Sequence, residues 1–183
     1  LGDVYKRQTI QASFTYFPYL RPIWKETTER EALLGVSMTG IMDNALTNGK
    51  HPNLAPRLQM FRKIAVDTNE YYANRLGINQ AAAVTAVKPS GTVSQLCDTA
   101  SGIHARYSDF YIRTVRGDNK DPLTQFMIDQ GIPNEPCVMK PDQTTVFSFP
   151  MKSPLGSVTR WDMSAIDQLN MWLTYQRHFT CHK

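Results

Sequence analysis

The chain has 183 residues, of which 42% are apolar and 20% charged, proportions that fit one globular domain or a piece of a larger one. It contains no run of about 18 apolar residues, which argues against a transmembrane helix, and its N-terminus lacks the layout of a secretory signal. The net charge of +4 is not gathered into Lys/Arg blocks. That disfavours direct binding to nucleic acid and suits an anionic small molecule. The three cysteines, Cys97, Cys137 and Cys181, lie far apart with no CxxC pair. So sparse a set makes no disulfide framework and fits a reducing cytoplasm.

The first eight residues, LGDVYKRQ, join abruptly to Thr9 and read as a non-native scar, leaving 9–183 as the native part. From Thr9 to Trp24 the chain is aromatic-rich and broken by Pro18 and Pro22, which predicts a loop packed on a core. Leu33 to Ile41 is a short apolar run whose glycines mark close backbone approach, and it reads as a buried strand. Asn53 to Leu76 is the clearest helix, with Pro56 in its first turn and Gly77 as its stop. Its predicted apolar face is Leu58, Phe61, Ala65, Thr68, Tyr72 and Leu76.

Ala81 to Lys88 is a second buried-strand candidate, cut by Pro89, and a helix from Val93 to Thr99 follows. Phe110 to Arg116 alternates as a strand does, with Arg113 and Arg116 on one polar face or in ion pairs. Asp121-Pro122 opens a helix that ends at Gly131. Thr144 to Phe149 is a strand stopped by Pro150, and Asp162 or Ser164 caps a last helix with Ile166, Leu169 and Leu173 on one face. Helices alternating with apolar strands indicate an α/β fold with buried parallel pairing, and no linker or repeat interrupts it.

The strongest chemical signal is Thr85-Ala86-Val87-Lys88-Pro89-Ser90-Gly91-Thr92-Val93-Ser94-Gln95-Leu96. A strand delivers the chain to a tight turn, and a helix begins at once. The first amides of that helix have no internal acceptor, Gly91 lets a ligand approach the backbone, and Ser90, Thr92 and Ser94 add hydroxyl donors. Such a loop holds phosphate without a metal, although an ordinary helix cap has the same look. The spacing is not that of GxxxxGK[ST].

AVKPSGTVSQL, then ASGIHARY and YIRTVR, flanked by GVSMTGIMDNAL and QLNMWLTYQRH, resemble the class II, adenosylcobalamin-dependent ribonucleoside-triphosphate reductases. The resemblance runs from Thr9 to the end. It implies the C-terminal part of a ten-stranded α/β barrel, cut at both ends, from an enzyme that makes 2′-deoxyribonucleotides by thiyl-radical chemistry. Pro89, Ser90, Gly91, Thr92, Val93 and Ser94 then match the loop that grips the substrate's phosphates, with Lys88 a further phosphate ligand or a solvent-facing strand end. Adenosylcobalamin is the implied cofactor. The implied partners are a ribonucleoside triphosphate, a thioredoxin-type dithiol reductant and a deoxynucleotide effector, with neither membrane nor nucleic acid bound directly.

The family's radical cysteine belongs upstream of Thr9, so no catalytic residue is expected in this chain, and the fragment alone is expected to be inactive. Cys97 is expected to pack in the interior and Cys137 to sit in a loop. His178, Cys181 and His182 only superficially resemble a metal set, because zinc needs about four ligands. His104 is expected to be a hydrogen-bonded loop residue. Two other readings stay open: a non-catalytic α/β module binding a nucleotide or other anion at 89–94, and a fragment of a class I or diphosphate-using reductase.

Overall fold

The computed structural model describes residues 2–181, with side chains described from residue 6 onward. Two compact units divide the chain: one takes residues 1–106 and 156–183, the other the inserted segment 107–155. The sequence reading made no such division.

In the first unit, helix α1 (Gly2–Gln11) leads through an irregular stretch to helix α2 (Pro22–Glu31). The stretch set apart as a scar runs into the same helix as Thr9, which is fully buried and accepts a hydrogen bond from Asn69 Nδ2 at 3.3 Å. The aromatics between these helices do not pack in a core. Phe14, Tyr16, Tyr19 and Trp24 are all exposed, Tyr19 almost completely.

Helix α3 (Leu54–Leu76) forms where it was expected, with Gly77 at φ 67° ending it by donating its amide to the Ala73 carbonyl. The left-handed turn at that position is what a glycine supplies without strain. Its buried face runs through Leu58, Ala65, Asn69 and Ala73, whereas Leu76 is exposed. Residues 33–41 and 81–88 pair in parallel as expected, but only over a few bonds. Leu34 N donates to Ala83 O, Val36 N to Val84 O, and Ala86 N to Val36 O. On the other side, Cys181 N donates to Thr85 O, so Thr85 lies between Val36 and Cys181.

Helix α6 (Ala165–His178) starts at a Ser164/Asp167 capping box, each side chain bonding the other's amide. It buries Met171 and Tyr175, while Ile166 and Leu169, of the face expected to hold Ile166, Leu169 and Leu173, are exposed. Met171, Tyr175 and Phe179 join Ile41, Met42, Leu54, Leu58 and Ile103 in the main core. Each such side chain contributes about 1.5–3 kcal/mol when fully buried. The Tyr175 hydroxyl donates to the Thr47 carbonyl at 3.0 Å, so its one polar atom is satisfied inside the core.

The second unit holds strand β1 (Phe110–Asp118), helix α5 (Pro122–Asp129), strand β2 (Asn134–Pro136) and strand β3 (Thr144–Lys152). Its sheet has the order β1-β3-β2 and is antiparallel throughout, so the expected parallel pairing does not extend to these strands. β3 also continues through Pro150, which was expected to stop it. Beyond Ser148 only β1 flanks the strand, and a proline costs no ladder bond where its missing N–H would face an open edge. Arg113 and Arg116, three apart on β1, cannot share a face at a period of two.

Candidate functional site

Lys88 to Ser94 leave the extended segment 81–88 of the first unit and enter the short helix α4 (Gly91–Leu96). The amides of Gly91, Thr92 and Val93 donate to no acceptor among the described residues, and all three residues are exposed. Six residues align too few peptide dipoles for a strong macrodipole, so the loop offers local N–H donors. No heavy atom lies within 4 Å of where a Cβ on Gly91 would stand, and that side of the loop is open to a ligand. The Thr92 hydroxyl adds a further exposed donor.

The other hydroxyls differ from expectation. Ser90 Oγ lies 2.6 Å from Thr39 Oγ1 and accepts from Gly102 N at 2.8 Å. Ser94 is fully buried, donates to Gly91 O at 3.1 Å and accepts from Gln95 Nε2. A hydroxyl has one proton; Ser94 spends its own on Gly91 O, and Ser90 is held between Thr39 and Gly102. The donors left on the outer surface are three amides and Thr92.

Lys88 is exposed and makes no ion pair among the described residues. Its ammonium lies over Gly35, where a Cβ would come within 3.3 Å of Nζ. Lys88 and Pro89 also line an open cavity of about 590 Å³, shared with Ile103, His104, Leu169 and Trp172. His104 is the hydrogen-bonded loop residue expected, its Nδ1 3.0 Å from the Ser101 carbonyl.

Sequence reasoning missed the support behind the loop. Asp43, in a 3₁₀ turn (Ile41–Asp43), takes a bidentate pair from Arg106: Nε to Oδ1 and Nη2 to Oδ2, each 2.9 Å. Ala100 N at 2.6 Å and Ser157 Oγ at 3.0 Å also donate to this carboxylate. Arg106 Nη2 reaches the Asp98 carbonyl as well. Burial by itself raises the Asp43 carboxyl, but the bonds from Arg106 and Ala100, the guanidinium charge and Ser157 outweigh it. They hold the carboxyl below its ordinary value of 3.8. Both residues stand in stretches already singled out, GIMDNAL and SGIHARY, but nothing in the spacing pairs them.

None of the three cysteines lines the cavity beside the loop. Cys97, expected to be buried, is exposed at the end of α4, and Cys137 is buried just after β2. Backbone amides of Met139 and Lys140, helped by Arg116, hold the Cys137 thiol below its usual range. Burial raises Cys181, but the Thr85 hydroxyl and nearby backbone amides more than offset that. Of the suspected metal set, His178 pairs with Gln59 Nε2 and Cys181 with Thr85 Oγ1, while His182 lies outside the described residues. Among the described residues no group of three or more potential metal ligands occurs.

No family model matches the chain. The fold is that of a crystallised B12-dependent class II ribonucleotide reductase, with a TM-score of 0.82 over 98% of this chain and 29% of that one, at 22% identity. The parallel pair 33–41 and 81–88, with the loop that follows it, therefore forms part of a ribonucleotide-reductase fold. By sequence, the chain is a homologue of one segment of the adenosylcobalamin-dependent ribonucleoside-triphosphate reductases. It is 30% identical over 159 residues to the enzyme of that name from Euglena gracilis, aligning 85% of this chain. With the one from Lactobacillus gasseri it shares 28% over 163 residues, aligning 76% of the chain. The chain spans 22% of the length of each of these relatives.

Proposed function

We propose that this chain is the substrate-phosphate-holding segment of a reductase that converts ribonucleoside triphosphates to 2′-deoxyribonucleotides. One observation carries the reading: a strand-end loop with unpaired amides at Gly91, Thr92 and Val93, on a barrel segment homologous to enzymes named for that reaction. An ionised phosphate presents only acceptor oxygens, which these donors and the Lys88 ammonium complement. Fixing the triphosphate fixes the ribose attached to it. The segment's contribution is positioning, which holds reacting groups at near-attack distance.

Adenosylcobalamin supplies the radical in this family. Two open cavities of this segment, of about 590 and 580 Å³, lie in the range of small-molecule sites. The role proposed for this segment's residues is toward the substrate. A dithiol reductant of the thioredoxin type, a deoxynucleotide effector and a cytoplasmic setting complete the proposal. No described helix is long and apolar enough to cross a membrane.

The test is conversion of a labelled ribonucleoside triphosphate by the full-length protein. Deoxy product that requires both adenosylcobalamin and a dithiol supports the reading, and no product under those conditions contradicts it. The isolated 183-residue chain is expected to give none.

A further inference from the structure

The turn 99–102 lies against the loop and is itself tied to the residues before the 3₁₀ turn. Thr39 Oγ1 donates to the Ala100 carbonyl at 3.0 Å, and Ala100 N is bound to Asp43 Oδ2 at 2.6 Å. Thr39 Oγ1 also lies 2.6 Å from Ser90 Oγ, a contact in which either hydroxyl can donate. Ser90 Oγ accepts from Gly102 N at 2.8 Å, and the same amide reaches Thr39 Oγ1 at 3.2 Å. Gly102 has φ +53°, and a Cβ there would stand 2.7 Å from the Lys88 carbonyl oxygen. Only a glycine lets the turn press so closely on the first residue of the loop.

We propose that Ser90 latches the loop, and that Thr39 is a positioning residue acting through Ser90 to hold the amides of Gly91, Thr92 and Val93. This rests on the phosphate-binding reading above. A latched loop is ordered before substrate arrives, so binding does not have to order it. Because the phosphates are gripped alike in ground and transition states, loss of the latch falls on KM rather than kcat.

In the full-length reductase, Thr39→Val is expected to raise KM for the ribonucleoside triphosphate about five- to tenfold, the loss of one hydrogen bond. The kcat should stay within about twofold, and Thr39→Ser should behave like the wild type. Thr39→Val combined with Ser90→Ala should raise KM by less than the product of the single effects, since both break the Thr39–Ser90 contact. If the two effects multiply instead, the two residues act independently and the latch is wrong. An unchanged KM in Thr39→Val alongside a raised one in Thr92→Ala also overturns the latch, while leaving the phosphate reading intact. Unchanged KM in both variants overturns that reading as well. Should Thr39→Val fail to fold, hydrogen exchange over 89–96 in substrate-free Ser90→Ala decides: faster exchange supports the latch, and an unchanged rate refutes it.

Discussion

Asp43 and the loop at 91–93 stand at opposite ends of one hydrogen-bonded chain and use their polar groups in opposite ways. Every oxygen of the Asp43 carboxylate is engaged, by Arg106, Ala100 and Ser157, and Arg106 is only 5% exposed. The three loop amides and the Thr92 hydroxyl, by contrast, have no partner among the described residues and face outward. A buried polar group left unpaired is costly, whereas an exposed one remains available. The difference separates scaffold from site: the brace at Asp43 stabilises the fold, and the loop keeps its donors for a ligand.

Breaking the brace gives the largest expected effect. Arg106→Met leaves the Asp43 carboxylate buried without its main partner and should cost about 3–5 kcal/mol of stability, measured by urea unfolding of the full-length protein. A loss under 1 kcal/mol would mean that the pair is dispensable. Next is Gly102→Ala, where a strained backbone and contact with the Lys88 carbonyl should cost about 1–3 kcal/mol. The same unfolding curves check it.

The loop side of the comparison is sharpened by Thr92→Ala. One charge-assisted hydrogen bond lost is about 1.5–3 kcal/mol of substrate affinity with stability unchanged, read by titrating the triphosphate. Affinity equal to the wild type would remove Thr92 from the site. The smallest effect concerns pH. The folded Asp43 carboxyl lies below its unfolded value of 3.8, so the unfolded chain binds more protons there and stability falls with acid. The contribution is whole above about pH 4 and is lost as pH drops through the folded value. Asp43→Asn should therefore flatten the fall in stability below pH 4, and an unchanged slope would place the acid sensitivity elsewhere.

The elements most legible in the sequence were those with both a cap and a period. Gly77 closed α3, although Asn53 at its start makes no side-chain cap bond, Asp121-Pro122 opened α5, and Ser164 opened α6 with its capping box. What failed was orientation. Ile166, Leu169 and Leu173 form one apolar face, yet the helix buries Met171 and Tyr175. Helical period alone does not say which of two apolar stripes meets the core. The aromatics at 14–24 misled for a related reason, since hydrophobicity does not dictate burial. Parallel pairing was legible at 33–41 and 81–88, where glycines and β-branched residues crowd together. It was wrongly extended to the inserted sheet, because strand alternation carries no direction.

The loop could be found because strand, turn and helix start fall within ten residues. Its support could not. Arg106 lies 63 residues from Asp43 and Thr39 lies 51 from Ser90, and hydrogen-bond partners so distant leave no mark in spacing. The partners of Ser90 were hidden on the same ground: a serine beside a helix start shows nothing in the sequence of its contact with Thr39 or Gly102.

Hydrogen exchange at Gly91, Thr92 and Val93 in the full-length reductase bears most directly on the claim that these amides grip the substrate. Slowed exchange at those three positions on adding a ribonucleoside triphosphate, and none on adding the unphosphorylated ribonucleoside, is the predicted result. Equal exchange with and without the triphosphate, under conditions where it is bound, would contradict it.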